Sequence, residues 1–282
     1  MRIVGFLTAW GCQDWIQPCI SNSLKIVDEL YVCVSSHHPD FLDLEDKTQY
    51  FVEENFPKRE RIKVIKHPNN TDSRIMPDWY KCEILNRMIK EAKLEENDVI
   101  MIIDADELYS DKHIEDIRFC SKYGFFDSVV IQARYFCIDL DHYVINEDME
   151  RIFRYKKGSD FSPTQRFNPK PLNRLVLDDY MFHYTMLLNP EMKRRYWKYS
   201  PVNNPKISKM KIDWLDKIYM KWELGSDEFW KNENQKITGH NGFWIKNDMV
   251  ENNGGLFIYD NEHPENIREK FKSIKDFRTI WN

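Results

Sequence analysis

The sequence predicts an α/β fold with a Rossmann-type, mostly parallel sheet flanked by helices, and three observations carry that expectation. Strand-like and helical segments alternate through the first hundred or so residues, a pattern that builds a parallel sheet through right-handed crossovers. The strand-like runs are short and mostly apolar, as strands covered on both faces are. No apolar run is long enough to cross a bilayer, so the apolar residues belong to a core.

The elements follow in order. Arg2 to Thr8 reads as the first strand, too short and too soon polar for a signal peptide. Gln13 to Val27 carries apolar positions at helical spacing, and Glu29 to Val34 is a second apolar strand. Leu42 to Asn55 reads as a helix, and Arg61 to Lys66 alternates like a third strand. Met76 to Leu94 is rich in strong helix formers. Asp98 to Ile103 is the fourth strand. Beyond it, Lys112 to Tyr123 is helical, and Asp127 to Phe136 and His142 to Tyr155 contain strand-like runs. Gly158 to Asn173, with three prolines, reads as loop. Pro190 to Tyr199 and Lys209 to Leu224 read as helices, and Gly239 to Tyr259 carries turn signals. With no repeat and no clean linker, the 282 residues are expected to form a single domain with two halves, 1–107 and 108–200, and an appended segment and tail, 201–282.

Composition narrows the function. The chain is 42% hydrophobic and 31% charged, with a mean hydropathy of -0.65, which suits a soluble protein with a sizeable core. A net charge of -5 does not advertise nucleic-acid binding. The six cysteines show no CxxC pair or zinc spacing and lie mostly in apolar contexts. Buried free thiols and a cytoplasmic location are therefore expected.

The chemistry concentrates at Ile100-Met101-Ile102-Ile103-Asp104-Ala105-Asp106-Glu107. An apolar strand ends abruptly in three carboxylates, whose burial requires compensation. A divalent cation is one compensator; oxygen-rich ligands suit Mg²⁺ or Mn²⁺, which in turn neutralise phosphates. In open α/β sheets ligands bind outside the carboxyl ends of the strands. The plainer alternative is that acids at a strand end serve turns and helix caps. The turn after strand one, Thr8-Ala9-Trp10-Gly11-Cys12, is not a G-x-G-x-x-G, and no P-loop occurs anywhere. Dinucleotide and P-loop nucleotide binding therefore find no support.

Taken together, several residues resemble those of nucleotide-sugar glycosyltransferases of the GT-A fold, family 2-type, from bacteria or phage. They are Thr8-Ala9-Trp10 at the end of strand one, a helix with Trp79, Lys81 and Asn86 leading into the Asp-Ala-Asp-Glu strand end, Arg151-Ile152-Phe153-Arg154, and Phe182-His183-Tyr184 before a basic helix. The likeness covers about residues 1 to 200. It implies a metal-dependent enzyme that moves a sugar from a nucleoside-diphosphate sugar, uridine first, to a hydroxyl acceptor. Asp106 would be the main ligand for Mn²⁺ or Mg²⁺, and Asp104 would contact the metal, ribose or sugar. Thr8, Ala9 and Trp10, with Ser35 and Lys81, would line the nucleotide site, and His183 would approach the metal or diphosphate. Glu107 would face the positive charge developing on the sugar or cap the next helix. Relatives carry an acid that deprotonates the acceptor; here Asp178 and Asp179 are the nearest acids before Phe182-His183, with Asp139 and Asp141 further off. Relatives also carry an acid at the end of strand two, where this chain has Ser35-Ser36-His37-His38.

From Lys193 to Trp222 nine cationic residues interleave with Tyr196, Trp197, Tyr199, Trp214 and Trp222, against Asp213 and Asp216. Either this is a solvated helix face, or it is an acceptor surface in peripheral contact with something anionic: a cell-surface glycan, a lipid-linked saccharide, or hydroxymethylated bases in DNA. Two other classes stay open: a nucleotidyltransferase, which also uses paired acids and a metal, and a non-catalytic sugar or nucleic-acid binding protein. A glycoside hydrolase is disfavoured, because Asp104 and Asp106 leave one strand end together and cannot straddle a sugar. In the tail, His240, Trp244 and His263 are further candidates for the donor site.

Overall fold

The computed structural model describes residues 1–42, 47–56, 60–162, 167–199, 205–221, 232, 236 and 257–281. The chain divides into two compact units, Met1–Gln132 with Asp148–Phe182 and Ala133–Glu147 with His183–Asn282. The division falls within three strands.

The first unit is the predicted α/β sheet. β1 (Ile3–Ala9), β2 (Glu29–Val34), β3 (Ile62–Val64) and β4 (Val99–Asp104) are linked by α1 (Ile16–Ile26), α2 (Thr48–Asn55) and α3 (Pro77–Ala92). They stand in the order β3-β2-β1-β4, every neighbour parallel. The order runs on through β7 (His142–Arg154), β6 (Ser128–Phe136), β10 (Arg174–His183) and β5 (Glu107–Leu108), with β7 antiparallel to β4. This is the α/β arrangement expected of a GT-A-like, Rossmann-type fold.

Alternation along the strands decides which helix covers which face. Val4 and Phe6 of β1, Tyr31 and Cys33 of β2, and Ile100 and Ile102 of β4 form one buried cluster with Tyr80, Ile84, Leu85 and Met88 of α3. Gly5 points to the other face, where an added Cβ would come within 2.8 Å of Leu30 and 3.1 Å of Ile103 and Val27. Helix α3 opens on Pro77, whose missing N–H needs no partner there, and ends at Lys93 in the left-handed region (φ 47°). α4 (Asp111–Tyr123) is capped by Ser110, whose hydroxyl accepts from the His113 N–H at 3.2 Å.

Besides shifted helix bounds, such as α2 starting at Thr48 and α6 at Pro205, and the unexpected β5, three departures stand out. The stretch read as loop contains two paired short strands, β8 (Asp160–Phe161) and β9 (Phe167–Asn168). Phe161 and Phe167 are buried in the α3 cluster. The Asn86 side chain pins this stretch, donating to Phe161 O at 2.9 Å and accepting from its N–H at 2.7 Å. Second, the acids Asp178 and Asp179 lie within β10, a ten-residue strand with no clear sequence signal. Third, α1 begins three residues late because Trp15 and Ile16 first turn back onto Cys12 O, both at 2.9 Å.

The second unit has its own core. Cys137, Ile138, Met186, Trp197, Trp214, Leu215, Ile218 and Tyr219 pack together, joining α5 (Pro190–Tyr199) to α6 (Pro205–Lys217). The short β11 (Phe257–Ile258) pairs antiparallel with His142 and Tyr143 of β7. His240, Trp244 and Trp222 lie outside the described residues. Among the described residues, no helix is long and apolar enough to cross a membrane.

Candidate active site

The parallel register assembles one edge of the sheet. Thr8 stands opposite Asp104, and Ala9 opposite Val34. The carboxyl ends of β1, β2 and β4 therefore deliver Thr8, Ser35 and Asp104 to the same side, which is where ligands bind in such sheets. Ser35 continues the ladder, its N–H donating to Ala9 O at 3.2 Å, while its buried hydroxyl donates to Pro68 O at 2.7 Å. That hydroxyl is thus engaged with the backbone.

The acids are compensated by cations from the chain itself. Lys81, projecting from α3, donates to Asp104 Oδ1. Arg151, from β7, donates to Asp104 Oδ2 at 3.1 Å and to Glu107 Oε1. Glu107 Oε2 accepts the Asp104 N–H at 3.2 Å, and Thr8 Oγ1 lies 3.4 Å from Asp104 Oδ1. Glu107 is fully buried and Arg151 nearly so. Burial of this density of charge is tolerated because each carboxylate oxygen meets a donor. Sequence reasoning noticed Lys81 but assigned Arg151 no part, since an Arg within a strand carries no signal of which acids it will reach.

Asp104, expected among the metal ligands, has both oxygens on cations, and one of the two roles expected of Glu107 is corrected. Glu107 does not cap the next helix, because Ser110 does so; it lies in the interior as the partner of Arg151. Asp106 occupies the turn between β4 and β5 and is 6% exposed. Among the described residues no group of three or more His, Cys, Asp or Glu side chains is placed to hold a metal. The carboxylate oxygens of this strand end are nonetheless the hard ligand type that a divalent cation takes. Mg²⁺ is commonly held by one or two carboxylates together with substrate phosphates rather than by an all-protein cage.

Beside these ion pairs, buried polar atoms lack partners among the described residues. They include Trp10 Nε1, just past β1, Gln13 Oε1, and His37 Nε2, just past β2. Buried polar groups are normally satisfied, so atoms left over at a strand-end edge are ready to meet a ligand. Burial pushes His37 down to about 4, with the Lys81 charge acting in the same direction and Asp104 against it. The imidazole is therefore neutral at pH 7 and presents one donor and one acceptor.

The other expected residues lie within their own units. Asp178 is exposed on β10, and the Asp179 side chain lies outside the described residues. His183 opens the second unit's share of β10, buried, with its ring centroid 4.4 Å from that of Tyr135. His263 is internal to the second unit: its Nε2 lies 2.8 Å from Leu140 O and its Nδ1 2.8 Å from the Tyr184 hydroxyl. Of the aromatics named in the basic-aromatic segment, two are core residues, and Trp222 lies outside the described residues. Trp197 and Trp214 are buried in the core of the second unit. Arg194 pairs with Glu191 and Asp216, Arg195 with Glu191, and Lys209 and Lys217 with Asp213.

No protein-family model and no curated protein matches the chain. Among solved structures it is similar to a crystal structure of S. aureus TarS 1-349, at 13% identity over 87% of this chain and 83% of that one, with a TM-score of 0.42. It is also similar to TarS 1-349 in complex with UDP-GlcNAc, at 11% identity, 87% and 84% coverage and a TM-score of 0.41. A third likeness is to 4-diphosphocytidyl-2C-methyl-D-erythritol synthase, at 12% identity, 55% and 76% coverage and a TM-score of 0.34. All three are loose.

Proposed function

We propose that the chain is a glycosyltransferase that uses a nucleoside-diphosphate sugar, uridine diphosphate first, and a hydroxyl acceptor on a cell-surface glycan or lipid-linked saccharide. The observation that carries this reading is the acidic end of β4, with Asp104 in register with Thr8 at the ligand-binding edge of a parallel sheet. Transfer breaks the bond between the sugar C1 and the diphosphate, and negative charge collects on the leaving group. Each element of the edge then has a task. Lys81 and Arg151 hold Asp104 oriented, so that it accepts from sugar or ribose hydroxyls without reorganising. Asp106 would hold Mn²⁺ or Mg²⁺, which when bound supplies charge stabilisation to the departing diphosphate. Trp10 Nε1 and Nε2 of the neutral His37, both without a hydrogen-bond partner among the described residues, suit the donors and acceptors of a base or ribose.

Calorimetric titration of UDP, with and without Mn²⁺, on the wild type and on Asp106→Ala tests this. Binding that needs both the ion and Asp106 is the expected result. UDP affinity indifferent to Asp106→Ala would overturn the assignment. Multiple-turnover release of UDP from a UDP-sugar distinguishes a transferase from a binding protein, and pyrophosphate release from a triphosphate would mark a nucleotidyltransferase.

A further inference from the structure

The first unit carries an exposed aromatic patch that the donor site does not use. Phe119 and Tyr123, on the last turn of α4, are 67% and 60% exposed with ring centroids 5.2 Å apart. Phe125, two residues on, is 95% exposed, and Leu172, before β10, is 88% exposed. Isolated exposed apolar residues are ordinary, but a contiguous group marks a contact surface. These four are linked stepwise: Phe119 meets Tyr123, Tyr123 and Phe125 share a groove with Asn173, and Leu172 precedes Asn173 in the chain. Tyr123, Phe125 and Asn173 line one open groove of about 470 Å³, with Lys122, Arg154 and Lys156. The Asn173 amide donates to Phe125 O, and the N–H groups of Leu172 and Asn173 both reach Asp127 Oδ2 at 3.0 Å.

The patch is held in place rather than left loose. Arg154 donates to Phe126 O at 3.1 Å and Gly124 O at 2.9 Å, with its guanidinium 4.6 Å from the Phe126 ring centroid. Gly124 N–H closes α4 onto Cys120 O at 2.7 Å. Phe125 is thus projected into solvent by a backbone pinned on both sides. An aromatic side chain held outward without a partner carries a standing hydration cost.

Charge selects the occupant. Lys122 sits over the Tyr123 ring at 5.0 Å, and Lys170 is exposed two residues before Leu172. The acid in the middle, Asp127, is neutralised by Lys156 at 2.8 Å. Aromatic and leucine tips backed by lysines, with the neighbouring acid paired, match the interface of an anionic bilayer, where rings enter the headgroup region and lysines stay in water. A stable protein partner fits less well. Four mostly exposed side chains offer on the order of 600 Å², short of the ~800 Å² per partner of a standard interface.

We propose that Phe119, Tyr123, Phe125 and Leu172, with Lys122 and Lys170, dock the first unit on an anionic membrane surface. The proposal is independent of the donor site: vesicle binding succeeds or fails whatever UDP does. The test is co-sedimentation of the full chain with vesicles of phosphatidylcholine alone and with roughly one part in four phosphatidylglycerol. Wild type should bind the anionic vesicles, less at high salt, and the neutral ones weakly. Phe119→Ser with Phe125→Ser should lower partitioning about tenfold or more, and Lys122→Glu with Lys170→Glu should abolish the preference for anionic lipid. Because all four positions are exposed, unfolding midpoints should be unchanged, and Leu172→Ser provides a second apolar variant. Absence of vesicle binding, equal binding to both compositions, or a dimer that dissociates on Phe125→Ser would each overturn the proposal.

Discussion

At the scale of single residues, the Arg151–Glu107 pair is the most consequential. Glu107 is wholly buried, so Arg151→Met strands a carboxylate in the interior. A loss of about 3–5 kcal/mol is expected, read as a fall in the denaturant midpoint. Arg151→Met combined with Glu107→Gln should recover much of it, because the amide is uncharged and its oxygen still accepts the Asp104 N–H. A double mutant no more stable than the single would show that the loss has another cause. Lys81→Met should be milder, because Asp104 keeps Arg151 and some solvent contact. His263 sets a pH dependence in the second unit. Burial pushes it down to about 4 from an ordinary 6.5. Between those values the unfolded chain binds the proton and the folded chain does not, so stability is full above about 6.5 and falls as pH drops towards 4. The full effect is on the order of 3 kcal/mol. His263→Gln should flatten the slope of unfolding free energy between pH 7 and 5.

At the scale of elements, the Ser110 cap and the Gly124 turn define α4. Ser110→Ala removes the acceptor for the His113 N–H and should lower stability by about 1 kcal/mol. Gly124→Ala would place its Cβ 2.6 Å from Cys120 O. That atom is backbone and cannot swing aside, so a loss of roughly 1–3 kcal/mol is expected in thermal unfolding. The elements also differ in how far their patterns could be read. β2 appears at its expected bounds because five of its six residues are buried, so a continuous apolar run was the correct signal. β10 was missed because its first half is largely exposed and its last three residues are buried. That strand changes environment along its length, and neither alternation nor a continuous run survives. β8 and β9 are two residues each and owe their place to Asn86 and the α3 cluster, which lie far away in sequence.

At the scale of the whole molecule, six cysteines in a chain with no disulfide set a simple test. All six are buried, and burial pushes the Cys33 thiol up to about 12 and the Cys120 thiol up to about 11. A thiol reagent should modify none in the native protein and all six once the chain is unfolded. One or more fast-reacting thiols in the native state would contradict this packing.

The sequence by itself determined the alternation of the first half, the apolar strand that ends in Asp104, Asp106 and Glu107, and the edge of the sheet at which chemistry is to be expected. Those features are local: they depend on period, on breakers and on abrupt changes of polarity. Only the tertiary structure decided how the acids are compensated, because Lys81 and Arg151 reach Asp104 from 23 and 47 residues away. Tertiary structure likewise turned Trp197 and Trp214 into core while leaving Phe119, Phe125 and Leu172 outside. Burial and pairing are properties of the space around a side chain, and that space is filled by segments its local sequence does not mention.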